Sequence, residues 1–355
     1  MRKALIDSIA NVLKIPLDEL EKALYVRSES ELSPRLVISP PPPPPPSPPP
    51  SPPPPPPPFE PTCIPYACQA NCAALCPDGE RIIVGDSNGK IKVRSTATGH
   101  LLYASDEFLH QVQCVATSPC GKYSVLGSGN TVYICRLSYG MSLVKCQGGS
   151  VKGHSKPVRA VAVSPDGRKI ASVSEDGAII IWCSKTGTPL ATFNRKEVCS
   201  LAFNIYGTKL ASGDVNGKIK IWNVIEGDFE YQFRAHDGAV IKMAFLADGK
   251  SLASNSRDGT AKIFSWCPNW RTRRTEKKFG NYANPVACIA AFSGGERVAM
   301  VNEKGAVKIL NVRTKRWEGE LPPRDSNVKF VEVASDGSRV VLGDGERLWV
   351  WKTKP

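Results

Sequence analysis

The chain has 355 residues, 41% of them apolar, and a formal charge of +13. It holds no run of about 18 apolar residues, so no transmembrane helix is expected, and its N-terminus lacks the apolar stretch and cleavage site of a secretory signal. The twelve cysteines are therefore expected as reduced thiols, in a protein of the cytoplasm, with the nucleus also open.

Residues 1–36 predict an amphipathic helical arm. Leu5, Ile6, Ile9, Val12 and Leu13 share one helical face, Leu17, Leu20 and Leu24 form a second stripe, and Pro16 interrupts the path between them. Helices this short are marginal in water, so the arm is expected to pack on itself, on the rest of the chain, on a second copy or on a partner. Residues 37–58 follow as a linker, with 17 of the chain's 31 prolines between positions 40 and 58. In the polyproline II conformation residues 39–58 would span roughly 60 Å at about 3.1 Å per residue. Such a segment either holds distance or offers a ligand to polyproline-binding domains. Residues 1–59 carry six cationic and six anionic side chains, so the whole positive excess belongs to the remainder. A basic domain points to acidic partners, to nucleic acid or to an anionic membrane surface.

Cys63, Cys68, Cys72 and Cys76 crowd together next, but their spacings of five, four and four are not paired zinc knuckles. Cys114 takes the place of Cys72 one repeat later, and Cys76 takes the place that Ser164 has in the third repeat. That pattern reads as small core residues, and no metal or cofactor is expected.

From residue 79 a fixed ruler governs the chain. Turns end in glycine at Gly79, Gly121, Gly167, Gly207, Gly249, Gly295 and Gly337, at intervals of 40 to 46 residues. An alternating strand follows each, such as Lys169 to Val173 or Arg297 to Val301. Second turns close at Gly89, Gly177, Gly217, Gly259 and Gly305, each ten residues after the first, because glycine reaches positive φ without steric cost. In the second and seventh repeats this interval is eight, at Gly129 and Gly345, and both contain Val-Leu-Gly-Xaa-Gly, which predicts a shorter hairpin. A further strand follows, for example Ile219 to Trp222. Seven units of three or four strands, each unable to bury both faces alone, predict a closed β-propeller.

The third repeat carries a more specific pattern: Gly153-His154, Ser164-Pro165-Asp166-Gly167, Ile170 to Gly177, then Ile181-Trp182. It resembles the WD-repeat (Trp-Asp repeat) β-propeller family over roughly residues 60–355. The resemblance implies an all-β, seven-bladed propeller over residues 59–355, acting as an interaction scaffold. It also implies a structural tetrad of His154, Ser172 (or Ser174), Asp176 and Trp182. The fifth repeat offers His236 and Asp258 but places Phe264 where the tryptophan belongs. No repeat holds the literal Trp-Asp pair, since Trp182 precedes Cys183 and Trp222 precedes Asn223.

The last repeat ends at Trp349-Val350-Trp351 with four residues left, so its outer strand is expected from residues 59–67. Pro61 and Pro65 suit an edge strand. The densest basic run, Arg271, Arg273, Arg274, Lys277 and Lys278, is expected on the outer strand of the fifth blade and its flanking loop. There it either protects a sheet edge or grips an anion. Leu310-Asn311-Val312-Arg313 only approaches the Trp-Asp-x-Arg signature of cullin-ligase adaptors within the family.

No Walker loop, HExxH or GxSxG occurs, and Ser, His and Asp meet only in the tetrad, so no enzymatic activity is expected. The reading is a non-enzymatic scaffold or adaptor in a multiprotein complex. Lys156, Glu175, Arg257 and Glu303 are its candidate partner contacts, on loops beside the ring's opening. The alternative is a basic propeller that binds RNA or anionic phospholipid.

Overall fold

A computed structural model describes residues 62–353 apart from 66–68, 106–109, 138–141, 146–152, 195–196, 267–272, 280–285, 293–294, 322–327 and 336. The expected helical arm and polyproline linker lie outside the described residues.

Seven antiparallel sheets of four strands each make up the domain. The inner strands are Ala70–Leu75, Val112–Thr117, Val158–Val163, Val198–Phe203, Val240–Phe245, Val286–Ala291 and Phe330–Val333. Each inner strand contacts the next, and the seventh contacts the first, so the ring closes. We number the blades 1 to 7 in this order.

The glycine ruler is a backbone requirement. All seven first-turn glycines have φ between 63° and 72°, and all seven second-turn glycines are also at positive φ. The two short hairpins are real. In blade 2, Ser128 pairs directly with Thr131, leaving only Gly129 and Asn130 to turn the chain. Another glycine set serves packing between blades. A Cβ on Gly85 would lie 2.4 Å from Val112 of blade 2, on Gly127 2.8 Å from Val158 of blade 3, and on Gly213 2.7 Å from Val240 of blade 5. The missing side chain is the space into which the neighbouring valine fits.

Apolar cores lie between blades rather than within them. Val125, Val132 and Ile134 of blade 2 pack with Val158, Ile170 and Trp182 of blade 3. The ring is sealed by Thr62–Pro65, which pairs antiparallel with Arg347–Lys352 as the outer strand of blade 7. Its Ile64 is 3% exposed and joins Leu348 and Val350 against Ala70, Ile82 and Val84 of blade 1. Pro65 sits at the end of this strand, opposite Arg347.

Candidate functional site

Antiparallel strands put the turns between second and third strands on one face of each blade, here called the upper face, together with the approach to the inner strand. The remaining turns lie on the lower face. Carbonyls of the upper turns stitch neighbouring blades together. Gly129 O accepts from Val158 N, Gly217 O from His236 N, Gly259 O from Val286 N and Gly345 O from Ala70 N.

Beneath the upper face of blade 3 four side chains meet. Trp182 donates its indole N–H to Ser172 Oγ at 2.7 Å, and Ser172 Oγ lies 2.7 Å from His154 Nε2. His154 Nδ1 lies 3.2 Å from Asp176 Oδ2, which also accepts the Ser155 N–H at 2.8 Å. One assignment satisfies every atom: Nδ1–H donates to the carboxylate, and the serine hydroxyl donates to Nε2 while accepting from the indole. Burial pushes the His154 imidazole below its usual range, only partly offset by Asp176. Burial alone would raise Asp176, yet the N–H groups of Ala178 and Ser155 and the imidazole hold it below the usual carboxylate range. Ser174, the other serine the sequence offered, instead donates to Lys156 O and caps the Asp176 N–H.

The serine, histidine and aspartate share the composition of a hydrolase triad but not its access. Ser172 is 0% exposed and its oxygen already serves the indole. A nucleophile needs an open approach to substrate, so this network is a strut between strands.

Blade 5 solves the same problem with different residues. His236 Nε2 lies 2.8 Å from Ser254 Oγ, while its Nδ1 lies 2.8 Å from Thr260 Oγ1, which donates to Asp258 Oδ1 at 2.6 Å. Phe264 meets the imidazole edge-on at 6.3 Å. Thr260 was not singled out in the sequence, although its place directly after the Gly259 turn was the available signal. Blade 4 keeps only the tryptophan half, with Trp222 Nε1 donating to Ser212 Oγ at 2.8 Å. In blade 7 Leu342 stands where these serines stand, two residues beyond the tryptophan's strand partner, and the buried Trp351 indole N–H finds no acceptor among the described residues. The aspartate of a Trp-Asp pair is replaced by Asn223 and Asn311, whose Oδ1 atoms still accept turn N–H groups, from Ile225 and Thr314 respectively.

The four candidate partner contacts lie on the upper face. Lys156 is exposed ahead of the inner strand of blade 3. Glu175 pairs with Arg159 at 3.1 Å, and its N–H binds Pro157 O. Arg257 and Glu303 are exposed at the matching turns of blades 5 and 6. One contact missed by sequence reasoning joins inner strands that are not ring neighbours. Lys242 Nζ of blade 5 lies 2.7 Å from Glu332 Oε1 of blade 7 and 3.1 Å from Val331 O, skipping blade 6. The pair therefore reaches across the central channel.

Of the basic run, Arg273, Arg274, Lys277 and Lys278 fall on Arg273–Phe279, the outer strand of blade 5, and Arg271 lies outside the described residues. Among the described residues no cluster of side chains suits a metal, and nine cysteines are free. Burial pushes the Cys76 thiol up to about 11 and raises Cys72 as well, as fits small core residues. Cys68 lies outside the described residues. Among those residues, no helix is long and apolar enough to cross a membrane.

The model for "WD domain, G-beta repeat" matches residues 145–183, 187–223 and 227–265. These segments fall on blades 3, 4 and 5, which include the two whose tryptophan donates to a serine. The chain is 27% identical over 232 residues to apoptotic protease-activating factor 1 of Rattus norvegicus, covering 65% of this chain and 18% of that protein. It is 29% identical over 204 residues to COMPASS component SWD3 of Saccharomyces cerevisiae, covering 55% of this chain and 63% of that protein. The matches thus span less than two thirds of either relative. The crystal structure of the Myceliophteria thermophila Cps50 (Swd1) β-propeller domain superposes with a TM-score of 0.70 at 14% identity, over 83% of this chain and all of that domain.

Proposed function

This chain belongs to the WD40-repeat family of β-propellers, and we propose that it is a non-enzymatic scaffold or adaptor whose upper face holds protein partners within a multiprotein complex. The observation that carries the reading is the buried network of blade 3. Among the described residues, the serine, histidine and aspartate of blade 3, like those of blade 5, meet with the serine and the imidazole buried, and the network fixes a turn. What the ring exposes above it is a rigid array of charged turn residues of both signs, Lys156, Glu175, Arg257 and Glu303. Mixed charge on a fixed frame confers partner specificity more than raw affinity. One relative is by its name a component of an assembly, which agrees with this role. The fold alone does not choose a pathway. The proposed setting is the cytosol or nucleus, with the proline-rich residues 39–58 as a second docking element for polyproline-binding domains.

The test is affinity purification of the full chain from its native cell, with and without nuclease, beside a Glu175→Lys/Arg257→Glu/Glu303→Lys variant. Partners that survive nuclease and are lost with the variant support the upper face. The alternative, RNA or anionic phospholipid on the basic outer strand of blade 5, draws on the position of Arg273 to Lys278 along an edge. It predicts partners that vanish with nuclease or binding to anionic vesicles, with steep salt dependence.

A further inference from the structure

A cavity of about 640 Å³ opens on the lower face, lined from blades 1, 2 and 3. Four cations line it: Arg81, Lys122, Arg136 and Lys185. Arg81 is neutralised by Asp78 at 2.8 Å. The other three are exposed and make no ion pair with a described residue, and no carboxylate is among the lining residues. The remaining wall is partly apolar, with Ile134 and the Tyr123 ring.

These groups are held in place by the fold. Tyr123 and Arg136 are cross-strand partners in blade 2, and Leu137 N binds Lys122 O at 2.9 Å, so both cations sit at one end of the same hairpin. Gly167 O accepts from the Tyr123 hydroxyl and from the Ser184 hydroxyl, which ties the blade 2 wall to blade 3 beside Lys185. Three like charges facing one void repel each other, and an anion there would reverse the sign of that interaction.

We propose that this cavity binds a soluble organic polyphosphate. Three unpaired positive charges are balanced by a diphosphate or larger group rather than by one phosphate monoester. The volume falls in the range of about 300–1,000 Å³ typical of small-molecule sites and leaves room for an organic body against Tyr123 and Ile134. The site is independent of the upper face.

The experiment uses the full chain, with isothermal titration at low salt. The probes are ADP, inositol hexakisphosphate and inorganic phosphate. At least one organic probe is expected to bind tenfold or more tightly than inorganic phosphate. Lys122→Gln/Arg136→Gln/Lys185→Gln should weaken that binding at least tenfold, while Arg273→Gln/Arg274→Gln/Lys277→Gln/Lys278→Gln leaves it within twofold. A second readout needs no variant. Cys120 lines the cavity and is exposed, so saturating probe should slow its alkylation at least threefold, with exposed Cys63 unaffected, by peptide mass spectrometry. The proposal is overturned by no binding of either organic probe or by equal binding of inorganic phosphate. Equal loss in both variants, or an unchanged Cys120 rate at saturation, would also overturn it.

Discussion

Trp182 and His154 converge on one oxygen, each placing a ring nitrogen 2.7 Å from Ser172 Oγ. Replacing that serine removes both partners at once. A buried donor or acceptor left unsatisfied costs about 1–3 kcal/mol. Ser172→Ala should therefore lower the melting temperature more than Ser254→Ala in blade 5, where Phe264 has no hydrogen bond to lose and His236 loses one of its two partners while keeping Thr260. Calorimetry on the two variants checks the order, and equal losses would show that the indole bond contributes nothing.

Acid should weaken the domain before the carboxylates titrate. Burial pulls His236 down to about 4 in the folded chain, with Asp258 only partly opposing it. The unfolded chain takes up that proton near the ordinary histidine value of about 6.5, so below that pH the unfolded state gains protons that the native state refuses. Stability is then full above pH 6.5 and falls toward about 4, by up to about 1.4 kcal/mol per pH unit for this residue. His154 shifts in the same direction. A second loss follows below the usual carboxylate range, because turn hydrogen bonds outweigh burial and hold Asp258 at about 2. Urea midpoints measured from pH 7.5 to 4.5 should decline, and His236→Gln should flatten the decline.

Closure of the ring depends on residues 62–65. A chain beginning at residue 68 loses the strand opposite Arg347–Lys352 and the buried Ile64 side chain, worth about 2 kcal/mol by burial alone. It should melt several degrees below the full chain, whereas a chain beginning at residue 56 should melt with it. Equal melting temperatures for all three would remove the closing role.

Gly213 leaves room for a neighbour. A Cβ there would lie 2.7 Å from Ser200 Oγ and from Val240. Forcing a methyl into a packed core costs about 1–3 kcal/mol. Gly213→Ala should destabilise by that order, and Val240→Ala added to it should restore part of the loss. A strictly additive double variant in thermal melts would deny the contact.

The repeat number, the blade boundaries, the closing strand and the blade 3 network were legible in the sequence. Each rests on local demands: glycine where φ must be positive, alternation where one face is buried, and residue types at fixed offsets along paired strands. Tertiary structure decided what depends on residues far apart in the chain. It chose Ser172 over Ser174, because the register opposite Trp182 determines which hydroxyl meets the indole. It inserted Thr260 between His236 and Asp258, paired Trp351 with Val340 so that Leu342 takes the serine's place, and drew Lys242 across to Glu332. It also gathered Lys122, Arg136 and Lys185 about one cavity, three cations that the sequence shows only as scattered charge. Spacing along a strand is a local property, but which side chains face one another across blades is set only when the ring closes.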